Sequence, residues 1–205
     1  NINNFLTARV NPPPNVYPQG PAQTGYYNRL LMDISNIPGV EKATLMSHVP
    51  TEFLPASGIQ PEGQEFPTSA FPQAHLVQVY PNTFETLSIP LLEGRLLDER
   101  DNENSPKVAV ISDEFANKMW PDESPIGKRI RIGSSVQTMP DNWMTVVGVV
   151  PQLMQGSLFG SEQEPTVYAP FAQMPRDAMA IVLKTRSDPN LFQQPLARVL
   201  HNIDP

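Results

Sequence analysis

Apolar and polar positions alternate along this chain in short bursts, and proline or glycine closes almost every burst. Residues 5–10 (FLTARV) alternate with period two and predict a strand. Residues 11–21 (NPPPNVYPQGP) form a stiff connector that excludes helix. Over residues 22–37 the apolar side chains Tyr26, Leu30, Ile34 and Ile37 recur at i, i+4, i+8 and i+11, the face of an amphipathic helix, and Pro38-Gly39 ends it. Residues 40–46 (VEKATLM) alternate again. Strand, helix and strand within fifty residues predict one α/β unit with its helix on a sheet face.

The middle of the chain is denser. Residues 51–72 are rich in proline and glycine and read as a crossover into a second part. Residues 75–80 form a strand. Asn82 then reads as the cap of a short helix, with Glu85 three residues on as its capping-box partner and with Phe84 and Leu87 facing inward. Pro90 and Gly94 stop that helix, and residues 97–106 make a polar, acidic loop. A buried-type strand at 108–111 leads to Ser112, which caps a helix with Asp113 and Glu114 in its first turn, where the macrodipole favours acids. Phe115 and Met119 face the core, and Pro121 ends the helix. Residues 127–133 (GKRIRIG) place Ile130 and Ile132 on one strand face and Arg129 and Arg131 on the other. Further strands are predicted at 145–150, 166–171 and 180–185. Asp188-Pro189 then opens a closing helix with Leu196, Val199, Leu200 and Ile203 inside. Pro195 fits as the start of a second helical piece.

Composition narrows the function more than the fold. Of 205 residues, 24 are proline, roughly double the usual 5%. With no repeat to account for it, the excess means short elements and stiff loops. A net charge of −7 argues against an electrostatic grip on nucleic acid or anionic lipid. No cysteine is present, which removes disulfides, thiolate catalysis and Cys-based zinc sites. No apolar run approaches the roughly 18–20 residues that span a bilayer. The chain opens on Asn1 in mid-structure, so it is expected to be part of something longer.

Candidate chemistry is sparse. Asp98, Glu99, Asp101 and Glu103 cluster in one loop, but their spacing is wrong for an EF-hand and the central glycine is missing, so a solvated loop is expected. His48, His75 and His201 are far apart in sequence and form no HExxH pair. GSLFG (156–160) departs from GxSxG because its serine follows the first glycine directly. No phosphate-binding glycine loop is present. Lys128, Arg129 and Arg131 read as a solvated strand face, and Trp120 as a packing residue. Trp143 lies in a different segment from Trp120, which argues against a carbohydrate platform. An enzyme with paired carboxylates is the residual alternative. No catalytic, cofactor-binding or metal-binding residue is assigned, and no cofactor is expected.

Three segments carry a resemblance: VYPNTFETLSIPLLEGR (79–95), VAVISDEFANKMWPDESPIGKRIRI (108–132) and TVVGVV (145–150). Together with IPGVEKA (37–43), TVYAPFAQ (166–173) and the ending from KTRSDP to NIDP (184–205), they resemble the MacB-like periplasmic core domain of ABC transporter permeases of the MacB/FtsX type. The resemblance implies an α+β fold of two subdomains. One is an α/β porter-like part of βαβ units, expected at 1–50 plus 165–205; the other is an inserted mixed α/β sabre-like part, expected at 51–164. It further implies a non-catalytic periplasmic domain of a bacterial inner-membrane protein that couples ATP-driven transmembrane motion to export or mechanotransmission. The expected partners are the permease's own transmembrane helices, a second permease copy, a cytoplasmic ATPase domain or subunit, and a periplasmic adaptor or substrate. The competing expectation is a periplasmic binding module for a peptide, lipid or lipoprotein.

Overall fold

The prolines and glycines that divide the sequence also divide the backbone. The computed structural model describes residues 4–50, 52, 54–67, 71–133, 142–153 and 165–204. Strand β1 (Phe5–Val10) leads into helix α1 (Pro21–Ser35) and strand β2 (Val40–Met46). Pro21 starts α1, where its missing N–H costs nothing. The helix buries Tyr26, Tyr27, Leu30 and Ile34 on one face, and Gly39, at φ 93°, turns the chain back toward the sheet. β1 and β2 are not neighbours, because β10 (Met179–Thr185) lies between them and is antiparallel to both. This is a split βαβ arrangement. A 3-10 turn at Pro189–Phe192, capped by the Asp188 side chain, precedes α4 (Gln193–Ile203). Pro195 therefore sits in the first turn of α4, where backbone N–H groups have no helical acceptor.

The remaining strands close on themselves. They are β3 (Ala56–Pro61), β4 (Gln73–Val79), β5 (Glu93–Gly94), β6 (Val108–Ser112), β7 (Arg129–Ile132), β8 (Met144–Val150) and β9 (Thr166–Pro170). Pairing runs β4–β3–β7–β8–β6–β9 and returns to β4. The β6–β8 and β4–β9 contacts are parallel and the others antiparallel. Closure gives each of the six strands a ring partner on both sides, with β8 running past β7 and β4 past β3. The two-residue β5 is added outside the ring on β8. The first and last parts of the chain join this ring through β4, whose Val79 pairs with Met46 of β2. The division drawn from the sequence grouped 165–178 with the first part; β9 pairs with β4 and β6 of the ring.

The pleat of the strands sorts the apolar side chains into three cores. Ile59, Ala74, Leu76, Ala109, Ile111, Ile130, Met144, Val146, Val167 and Ala169 point into the ring from all six strands, and Phe115 and Trp120, from α3 (Asp113–Met119) and its C-terminal end, join them. Ala43, Leu45, Met179, Ile181 and Leu183 face α1 and α4. On the opposite face of the same strands, Met46, Ala180 and Val182 meet Val77, Val79, Val108, Val110 and Tyr168 from the outside of the ring. The third core thus belongs to both parts of the molecule.

Two sequence expectations need correction. Residues 51–72 are not solely a connector, since β3 forms at Ala56–Pro61. Its ASGIQP sequence hides the strand behind Gly58 and Pro61. Gly58 is required there because a Cβ would lie 2.6 Å from the Gly133 carbonyl oxygen. The Asn82 capping box does not form either: α2 is only Thr83–Thr86, and Asn82 makes no capping hydrogen bond. Ser112, by contrast, caps α3 through Phe115 N–H as expected.

Candidate functional site

Polar and aromatic side chains interlock where the β1–β10–β2 sheet meets the ring. There the backbone of β2 runs onto β4. Ser47 N–H donates to the Gln78 carbonyl (2.8 Å), and Tyr80 N–H donates to Leu45 O (3.0 Å). On the other side of β4, Phe171 N–H donates to Val79 O (2.9 Å). Asn82 is free to cross this junction because it does not cap α2. Its Nδ2 donates to Ala43 O (2.7 Å), and its Oδ1 accepts from Thr44 Oγ1 (2.9 Å). The Thr44 hydroxyl also meets that of Thr83 at 2.8 Å, and both threonines are buried. Glu85, the expected box partner, pairs with Lys42 on β2 at 2.5 Å, which holds its carboxyl below the usual range.

Aromatic rings brace the same junction from the helix side. Tyr27 of α1 meets Phe171 edge-on at 5.3 Å, and Phe171 stacks on Tyr80 at 5.2 Å. Tyr80 OH donates to Asn28 Oδ1 (3.0 Å), and Tyr27 OH donates to the Asp177 carbonyl. Burial pushes both phenols well above their ordinary pKa, so they remain neutral donors at physiological pH. Sequence periodicity identified Tyr26 as a core residue but missed this brace. Its one sequence signal is the aromatic content of YY at 26–27 and of the strand ends at 80 and 171.

Clefts flank the junction. One, of about 750 Å³, runs between α1 and the loop 98–104. That loop is more ordered than the solvated loop expected. The Arg95 guanidinium holds Asp101 with two bonds of 2.7 and 2.8 Å, and the Asp101 side chain is only 4% exposed. Arg100 grips Asp98 through both side-chain oxygens at 2.9 and 2.6 Å, and this holds the Asp98 carboxyl far below its ordinary pKa. Two of the four clustered carboxylates thus serve to fold the loop. The other cleft, of about 830 Å³, opens between Arg9, Ser47 and His48 on one side and Ser57, Leu76 and Gln78 on the other.

The other candidates separate. His48 sits at this second cleft, with burial and then the Arg9 charge lowering its pKa. His75, on β4, is near enough to contribute to that lowering, while His201 is exposed on α4. Among the described residues no three His, Asp or Glu side chains converge as a metal-ligand set. Arg129 and Arg131 both lie over the Trp143 ring, at 5.3 and 4.9 Å from its centre. Arg129 also pairs with Glu62 at 2.9 Å, Lys128 pairs with Glu123 at 2.5 Å, and Arg131 donates to Gln60. The basic cluster is therefore internally paired. Trp120 is buried against Phe115, as expected. GSLFG (156–160) lies outside the described residues.

Comparison with known proteins agrees with this architecture. The periplasmic region of MacB from Actinobacillus actinomycetemcomitans superposes with a TM-score of 0.63 at 16% identity, covering 98% of this chain and 84% of that one. The extracellular domain of the noncanonic ABC-type transporter YknZ from Gram-positive bacteria gives 0.62 at 14% identity, covering 97% and 94%. A domain of a putative permease protein from Porphyromonas gingivalis gives 0.57 at 18% identity, covering 84% and 75%. At these identities the likeness is one of fold. In sequence the chain is similar to the macrolide export ATP-binding/permease protein MacB of Marinobacter nauticus, 29% identical over 82 residues. That stretch covers 40% of this chain and 12% of the relative's length. The MacB-like periplasmic core domain model matches residues 3–199. The chain belongs to the MacB-like periplasmic core domain family, the periplasmic domain of ABC transporter permeases.

Proposed function

We propose that this domain does no chemistry and acts as a rigid transmitter. In this reading the permease's transmembrane helices, driven by ATP hydrolysis on a cytoplasmic ATPase domain or subunit, move the β1–β10–β2 unit. The ring then follows as one body against a second permease copy, a periplasmic adaptor or a substrate. The observation that carries this is the junction itself. One hydrogen-bonded sheet runs from β1 to the ring, one buried core is shared by both parts, and Asn82, Tyr80 and Phe171 lock the seam. Packed cores resist continuous deformation, so displacement applied at one end of such a seam reappears at the other. A soft linker would dissipate it.

The test uses the full-length permease with its ATPase. The described domain contributes no native cysteine to interfere with labelling, so spin labels at the exposed Met32 on α1 and Glu114 on α3 report the distance between the two parts. The expected result is the same intradomain distance distribution with and without trapped nucleotide, while the distance between Glu114 labels on two copies changes. A nucleotide-dependent change within one domain would refute rigid transmission. No change between copies would refute motion of the domain altogether.

A further inference from the structure

Gln78 stands out because no described residue hydrogen-bonds its side chain. It is fully buried on β4, and its backbone is satisfied by Ser47, through the hydroxyl and the backbone N–H. Both side-chain amide atoms, Oε1 and Nε2, nevertheless lack a hydrogen-bond partner among the described residues. A buried carboxamide with neither its donors nor its acceptor engaged is destabilising, and an apolar residue of the same size avoids the cost. Its pleat position follows Ala74 and Leu76 toward the inside of the ring. It borders the 830 Å³ cleft, where β4 changes partner from β3 to β2. Crevices at such changes of pairing, between two structural units, are favoured places for ligands.

The charges around this cleft define the ligand. Arg9 is neutralised by Glu52 at 2.5 Å. Asp177 accepts from Gln19 and Gln23, which lowers its pKa, and His48 is biased toward its neutral form by burial. Arg176, exposed at the rim, is in no ion pair among the described residues. The cleft therefore has little net charge, and the Gln78 amide, a donor group and an acceptor side by side, lies buried at its wall beside Leu54, Leu76 and Met174. At Gln78 itself an anion would leave the acceptor unused and a cation would leave the donor unused. An amide engages both.

We propose that this junction crevice binds an extended polypeptide segment, with Gln78 hydrogen-bonded to a peptide group of that segment. In this proposal the Gln78 carboxamide turns toward the crevice when the segment binds, a local side-chain change that does not require the two parts of the domain to move relative to each other. The inference stands or falls separately from the mechanical reading.

The test uses this 205-residue chain with N-acetyl-tetra-alanine amide as a neutral peptide probe and acetate as an anionic one. The expected result is a saturable shift of the Gln78 side-chain amide and of the Ser47 and Ser57 backbone amides in 15N NMR spectra. A minimal peptide should give this with a dissociation constant on the order of 1–10 mM, and acetate should not. Gln78→Leu and Gln78→Met should abolish saturation and raise Tm by about 2–4 °C, since each removes an unsatisfied buried amide. Lowered Tm in both variants would overturn the proposal, because it would mean that the amide is satisfied internally, by a bound water for example. So would peptide shifts that persist in either variant, equal saturation by acetate, or no saturable shift at all.

Discussion

Asn82 distinguishes the local reading of this chain from the tertiary one. As an N-cap it would tolerate aspartate, which caps as well as asparagine. As a junction residue it needs both a donor for Ala43 O and an acceptor for Thr44 Oγ1. Asn82→Ala removes both bonds, each worth about 1 kcal/mol net, for a loss of about 2 kcal/mol. In a chain of this length that lowers Tm by about 4–8 °C. Asn82→Asp keeps an acceptor but loses Nδ2 and sets a carboxylate against the Ala43 carbonyl, so it should cost at least as much as alanine. The assay is equilibrium urea unfolding followed by fluorescence of the buried Trp120, with Glu85→Ala as an exposed control expected to shift the midpoint far less, since it loses only a surface ion pair. If Asn82→Asp retained wild-type stability while Asn82→Ala lost it, the side chain would be acting as a cap and the junction argument would fail.

Three further outcomes are expected. The His48 pKa is lowered from 6.5 by burial and by Arg9, so below pH 6.5 the unfolded chain binds a proton that the folded one resists. This group's contribution to stability is present above pH 6.5 and is lost as pH falls through the lower folded value. His48→Gln should flatten the slope of unfolding free energy between pH 7.5 and 5, and an unchanged slope would remove His48 as the cause. Gly148→Ala would drive a Cβ into the Arg95 carbonyl, backbone that cannot rotate away; it should destabilise by about 1–3 kcal/mol or more, read as a lower urea midpoint. Ser112 Oγ accepts from Phe115 N–H and from Thr166 N–H (3.0 Å), so Ser112→Ala loses a helix cap and a link between β6 and β9. The expected cost is about 2–3 kcal/mol, with Ser112→Thr recovering part of it.

Sequence alone determined what depends on neighbours along the chain. The face Tyr26, Leu30, Ile34 of α1, the Ser112 cap, the alternation in β1 and the strand expected at 180–185 follow from local sequence, and all appear in the structure at or within a few residues of their expected positions. Only the tertiary structure decided the rest. β3 is invisible locally because Gly58 answers to the Gly133 carbonyl, 75 residues away. Asn82 looks like a cap because capping is the nearest use for its side chain, yet β2 supplies stronger partners. Closure of the ring depends on β9 reaching both β4 and β6. The Asp98 and Asp101 carboxylates, read as solvated, are claimed by Arg95 and Arg100 once the loop is folded. Gln78 carries no sequence signal, since an unpaired amide becomes conspicuous only after everything around it is paired. Periodicity records which face of an element is buried. What it is buried against is set by contacts between residues distant in sequence, and those decide both the junction and the crevice beside it.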